Sequence, residues 1–272
     1  MSEFRHRYGR WAVIAGASEG IGARYARAMA ERGLDLVLLA RRRDALERLA
    51  AEIRAETGVE VRVLVADLAE PEAVPDIVAV TAGLEVGMLL YCAGADPEYA
   101  PLLAGPVEPT LALVQRNCVT PLRLCHHFAG AMAERGRGGI VVLTSVAGLY
   151  GAPNMVAYSA TKAFDLVLAE ALWAELRPRG VDVLALVLGT TDTPALRRAL
   201  VRRGALDPSD PAPLPGAATA DEVVAEAIEN LPNGPTWFVG DGLREFARRL
   251  GLRTRGKAVA TLARHSDAAG TR

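Results

Sequence analysis

The sequence predicts an α/β fold in which a doubly wound parallel sheet is flanked by helices. Three observations carry that expectation. Short apolar runs alternate with longer helical stretches through the 272 residues. The runs are apolar at nearly every position, as in strands buried on both faces. A glycine-rich turn also stands between the first run and the first helix. Alternation of this kind winds through right-handed crossovers into one covered sheet.

The elements follow in order. Trp11–Ala15 is the first strand, and residues 21–32 form an amphipathic helix. Strands are expected over 34–40 and 59–66, separated by a helix at 44–56. Strands at 86–93 and 140–145 enclose a long helical stretch, 107–135. A second long helix, 155–177, leads to the apolar strand Val181–Leu188. The regularity then breaks. Residues 189–218 hold a short basic helix and a proline-rich stretch, the pattern of a lid over a site. Order returns with helix Ala220–Asn230, a last strand at 236–239 and a basic helical segment over 242–264. In that segment Leu243, Phe246, Ala247 and Leu250 make one apolar stripe. It serves either as a helix docked on its own core or as a subunit contact. With no internal repeat and no separating linker, the chain reads as one domain.

Composition narrows the function. A net charge of −1 gives no drive toward nucleic acid. No apolar run reaches the roughly 18 residues needed to span a bilayer. Arg5, Arg7 and Arg10 precede an apolar stretch too short for a secretory signal. Cys92, Cys118 and Cys125 fit neither a disulfide framework nor metal-ligand spacing, so no metal is expected. The expected location is the reducing cytoplasm. His126 and His127 lie mid-helix and read as structural.

Gly16-Ala17-Ser18-Glu19-Gly20-Ile21-Gly22 joins the first strand to the first helix. Glycines there let the backbone turn tightly beside a pyrophosphate, and the helix N-terminus offers unpaired N–H groups to it. After the second strand come Arg41, Arg42 and Arg43, with no carboxylate among them to receive ribose hydroxyls. Cations at a helix start oppose its dipole. Here they suit a 2′-phosphate, so NADP(H) is expected over NAD(H), with Arg41 first and Arg42 second.

Tyr158 and Lys162 are four residues apart and share one face of a helix. A free phenol ionises near ~10, and a cation held beside it favours the phenolate. Lys162 is one of only two lysines, the other being Lys257. Ser145 lies thirteen residues before the tyrosine.

Together these features resemble the classical short-chain dehydrogenase/reductase family over roughly residues 11–239. Gly16, Gly20 and Gly22 match its glycine motif, although Ala15 stands where threonine is usual. Asp67 matches the aspartate that contacts the adenine ring, and Asn117 the asparagine of the long fourth helix. Ser145, Tyr158 and Lys162 complete the pattern. The resemblance implies a Rossmann fold of about seven strands. It also implies that Leu68, Ala93, Gly94, Gly189, Thr191 and Thr193 line the cofactor site beside Ser18, Glu19 and Ile21. Two departures stand out. Tyr91-Cys92-Ala93-Gly94 replaces Asn-Asn-Ala-Gly, losing an amide brace and bringing Cys92 near the cofactor. Leu188-Gly189 replaces Pro-Gly.

In the chemistry so implied, Tyr158 is the acid in reduction and the base in oxidation. Lys162 supports its ionisation and holds the nicotinamide ribose. Ser145 polarises the carbonyl, and Asn117 keeps a water that links Lys162 to solvent. The expected activity is NADP(H)-dependent hydride transfer on a hydrophobic ketone or 3-oxoacyl substrate. The alternative is a non-catalytic NADP(H)-binding sensor or scaffold, for which the retained reacting groups would serve no purpose. An extended-type epimerase would need a second substrate domain. Substrate contacts are expected from Val146, Ala147, Leu149, Tyr150, Asn154, Met155 and Val156. The lid would add Leu196, Leu200 and Leu206. Arg197, Arg198, Arg202 and Arg203 would stand at the mouth, suited to a phosphorylated handle. The resemblance further implies a homodimer or homotetramer joined through residues 107–135 and 155–177.

Overall fold

The structure is a computed structural model and describes residues 2–94, 99–257, 259 and 261. Seven strands form one parallel sheet: β1 Trp11–Ala15, β2 Asp35–Ala40, β3 Val61–Val65, β4 Val86–Tyr91, β5 Gly138–Ser145, β6 Val181–Leu188 and β7 Thr236–Phe238. Their order is β3-β2-β1-β4-β5-β6-β7, so the winding reverses between β1 and β4. Alternation along each strand feeds two cores. From β1, Ala12 and Ile14 point to one side, against α2 Gly20–Glu31, α3 Arg43–Thr57 and α9 Ala220–Asn230. Trp11, Val13 and Ala15 point to the other, against α4 Ala73–Thr81, α6 Thr120–Arg135 and α7 Val156–Leu176. Burial on both faces explains the near-continuous apolar runs, with polar residues near strand ends, as Asp35 and Asp182 are, or on the edge strand β3, as Arg62 is.

Three features depart from the sequence reading. A six-residue helix, α1 Glu3–Tyr8, precedes β1, with Ser2 accepting from the Arg5 N–H as its cap. Helix α4 was also unexpected. Its Pro75 sits in the first turn, where a missing N–H costs nothing. The long stretch 107–135 is two helices, α5 Glu108–Val114 and α6, joined by a π-helical turn, Gln115–Val119.

Segment 189–218 contains α8 Pro194–Arg202 and is closed at its base by a parallel bridge between Thr191 and Ala218. Arg197 clamps it from within, donating to both carboxylate oxygens of Asp192 and to the carbonyls of Asp210 and Ala212. In the basic C-terminal segment, α10 Asp241–Gly251 turns Phe246 and Leu250 onto Tyr150, Ala152 and Met155. The apolar stripe is therefore docked on its own chain. Residues 258, 260 and 262–264 of the expected extension lie outside the described residues. No helix among the described residues is long and apolar enough to cross a membrane. His126 and His127 are exposed on α6, not packed in the core.

Candidate active site

The carboxyl ends of the strands open into a cleft of about 780 Å³ beside the β1/β4 reversal. In a parallel sheet this reversal splays the flanking loops apart and leaves a crevice. The glycine turn forms its floor. A Cβ on Gly22 would lie 2.1 Å from the Gly16 carbonyl oxygen, so the first turn of α2 can sit on the loop only with glycine there. Every expected cofactor residue lines this cleft: Gly16, Ser18, Glu19, Gly20, Ile21, Gly22, Arg41, Arg42, Asp67, Leu68, Cys92, Ala93, Gly94, Tyr158, Lys162, Gly189, Thr191 and Thr193. Arg116, Leu143, Thr144, Leu188 and Arg198 line it too.

At one end, Arg42 donates to the Ser18 hydroxyl at 3.0 Å and pairs with Glu19 at 2.8 Å. Arg41 stands 3.7 Å from Asp67. Partial burial opposes ionisation of Glu19, but hydrogen bonds from Arg198 and Arg42 outweigh it and hold the carboxyl below its ordinary range.

At the other end, Ser145 closes β5 and its Oγ accepts from the Ala147 N–H at 3.2 Å. Tyr158 is in the first turn of α7, with Lys162 one turn on. The Lys162 ammonium lies 6.0 Å from the Tyr158 ring centre. It is buried, donating at 2.9 Å to the Leu143 carbonyl and at 2.9 Å to Asp165.

Asn117 stands behind the cleft, buried in the π-helical turn, and does not line it. Its amide donates to Thr161 at 2.9 Å, while its Oδ1 has no partner among the described residues. Gly94 keeps the space between: a Cβ there would come within 2.8 Å of Lys162 Nζ and 3.0 Å of Asn117 Oδ1. The Tyr91 departure is resolved by the same turn, because its buried hydroxyl donates to the Arg116 carbonyl. The lost amide brace is thus replaced by a phenol. Burial pushes the Cys92 thiol far above its ordinary range, which makes it a packing group.

Sequence reasoning missed Asp165. Its signal was the spacing, since residues 158, 162 and 165 fall on one helical face.

Residues 10–202 match the model of the short chain dehydrogenase family. The chain is 33% identical over 266 residues to a 7beta-hydroxysteroid dehydrogenase of Clostridium sardiniense, covering 97% of this chain and 98% of that one. A solved structure described in terms of 7beta-hydroxysteroid dehydrogenase stereoselectivity superposes with a TM-score of 0.86 at 32% identity, covering 96% of this chain and 99% of that chain. A short-chain dehydrogenase from Sphingobium yanoikuyae in complex with NADPH superposes with a TM-score of 0.75 at 33% identity, covering 89% and 94%. The family match spans most of the chain, the relative is covered nearly end to end, and the chain belongs to the short-chain dehydrogenase family, as an oxidoreductase acting on CH–OH and C=O groups.

Proposed function

We propose that this enzyme is NADP(H)-dependent and acts on a carbonyl or secondary alcohol of a bulky, hydrophobic, steroid-type substrate. The observation that carries the reading is the polarity of one cleft. Arg41 and Arg42 stand at its far end, and Ser145, Tyr158 and Lys162 at its near end. The residues present suit the cofactor. The Gly22 cradle would be filled by any Cβ, and the buried Thr191 hydroxyl has no partner and suits a carboxamide. Arg41 and Arg42 would hold the 2′-phosphate, Asp67 the adenine edge, and Lys162 the nicotinamide ribose. The NADPH complex of the Sphingobium relative supports the same choice.

Bound cofactor supplies or accepts the hydride. Tyr158 donates its proton to the substrate oxygen in reduction and takes it back in oxidation. Ser145 donates a hydrogen bond to that oxygen and stabilises the charge it gains. The buried Lys162 ammonium stabilises the anion left on Tyr158 as the proton moves. Asn117, its Oδ1 open toward Lys162 across Gly94, holds a water for proton resupply.

Beside the cleft, and outside its lining, Tyr150, Ala152 and Met155 pack against Phe246 and Leu250 of α10, an apolar cluster that we read as the wall for a large substrate. Segment 189–218 acts as the lid. Its arginines are engaged within the fold. Arg197 clamps Asp192, Arg198 pairs with Glu19, and Arg203 stacks 4.4 Å over the Tyr99 ring. That favours an uncharged bulky ketone over a 3-oxoacyl thioester with a phosphorylated handle. Near end-to-end collinearity with a 7beta-hydroxysteroid dehydrogenase supports the same class. The enzyme works as a homo-oligomer, to which exposed Leu122, Phe164 and Val167 on α6 and α7 lend apolar surface.

The test is nicotinamide oxidation across steroid ketones, small cyclic ketones and 3-oxoacyl thioesters, with NADPH and NADH in parallel. Turnover of steroid ketones with NADPH is expected. Turnover of thioesters alone would overturn the substrate class, and equal use of both cofactors would overturn the cofactor choice.

A further inference from the structure

A carboxylate without water contact is costly unless paired, and Asp165 on the third turn of α7 has no exposed surface. One oxygen accepts from Lys162 Nζ at 2.9 Å, and the other has no partner among the described residues. Its surroundings are otherwise neutral or weakly polar: Tyr91 from β4, Cys118 from the π-helical turn and Cys125 from α6 all lie within its electrostatic reach. Beyond them, Tyr158 shares its helix and Arg116 lies near Tyr91. A lysine has three donors. Two are taken by Leu143 and Asp165, which fixes the ammonium at the base of the cleft with one N–H left for a ligand. Burial pushes the Asp165 carboxyl up from its ordinary range, and the Lys162 ammonium, which pulls it down, offsets that only in part.

We infer that Asp165 is a positioning residue of the active site: it anchors the Lys162 ammonium and offsets its charge, and so sets the pH range in which Tyr158 exchanges its proton. The inference rests on the assignment of Tyr158 and Lys162 as reacting groups. An uncompensated ammonium would favour the phenolate more strongly, so removing the carboxylate should let alcohol oxidation begin at lower pH.

The experiment is the pH profile of kcat/KM for alcohol oxidation in D165N, D165L, D165E and Y158F, with thermal melting of each. D165N keeps the polar shape without the charge and D165L fills the space with apolar volume, so the profile is read from whichever melts nearer the parent. The acidic limb should move down by about half to one pH unit, the reach of a charge at this range, and D165E should restore it. An unmoved limb, or one displaced upward, overturns the inference. Y158F separates the two readings. If it turns over as the parent does, the assignment of Tyr158 fails. If it is inactive while the D165N limb stays put, only the role of Asp165 fails.

Discussion

Arg198 of α8 and Glu19 of the glycine turn, 179 residues apart, are joined by a forked ion pair, and Arg42 reaches the same carboxylate at 2.8 Å. One charge thus ties segment 189–218 to the phosphate end of the cleft. The pair is partly exposed and contributes on the order of 1 kcal/mol. Glu19→Gln is expected to leave the sheet intact and to speed amide exchange in residues 194–202, measured by hydrogen–deuterium exchange. Acid should do the same to the parent. The carboxyl is depressed in the fold, so its contribution is complete above the unfolded value of 4.5 and is lost as the pH falls below it. Exchange that ignored both changes would mean α8 is held by packing alone.

Arg41 and Arg42, the proposed holders of a 2′-phosphate, are braced unequally. Arg42 is braced by Ser18 and Glu19, whereas Arg41 is mostly exposed and 3.7 Å from Asp67. A charge-assisted hydrogen bond contributes roughly 1.5–3 kcal/mol, or about ten- to a hundredfold in affinity. Arg42→Ala should weaken NADPH by about that factor and Arg41→Ala by less, with NADH little changed in both, read by fluorescence titration. This ordering reverses the one expected from sequence, because order in the side chain lowers the entropy lost on binding.

The strands were legible because burial on both faces confines polar residues to strand ends and edges, and strand Val181–Leu188 and helix Ala220–Asn230 fall where the pattern places them. Helix α1 was hidden by its six residues and α4 by Pro75, both too short for a periodic signal. The glycine turn, Ser145, Tyr158 and Lys162 were legible because each needs a particular residue type at a fixed spacing. Asn117 could be named but not located, since a π-helical turn leaves no mark in composition. Asp165 was invisible for another reason. A carboxylate on a helix reads as solvated until the packing of β4 and α6 against it is known.

Tyr91 tests how that turn is held. Its hydroxyl satisfies the Arg116 carbonyl in a fully buried setting. Tyr91→Phe leaves that carbonyl without its donor, a cost of about 1–3 kcal/mol. Urea unfolding should show the loss at unchanged slope. Turnover should fall as well, because the Asn117 side chain rides on the same turn. A variant as stable as the parent would mean a water or a shifted helix bond replaces the phenol.

Leu250 tests the proposed substrate wall. It is buried against Tyr150, Ala152, Met155 and Phe246, in a cluster separate from both sheet cores. Leu→Ala in a packed site costs roughly 2–5 kcal/mol, but a peripheral cluster can relax, which puts this one toward the lower bound. The larger effect should be kinetic. In the proposed arrangement, loosening α10 stops the apolar wall pressing a large substrate toward Tyr158, whereas a small cyclic ketone is not expected to reach that wall. Leu250→Ala is therefore expected to raise KM for steroid ketones several-fold and to leave kcat/KM for cyclohexanone near the parent value. A uniform fall for both substrates would show that α10 supports the sheet rather than the wall. A fall for neither would remove α10 from the substrate site altogether.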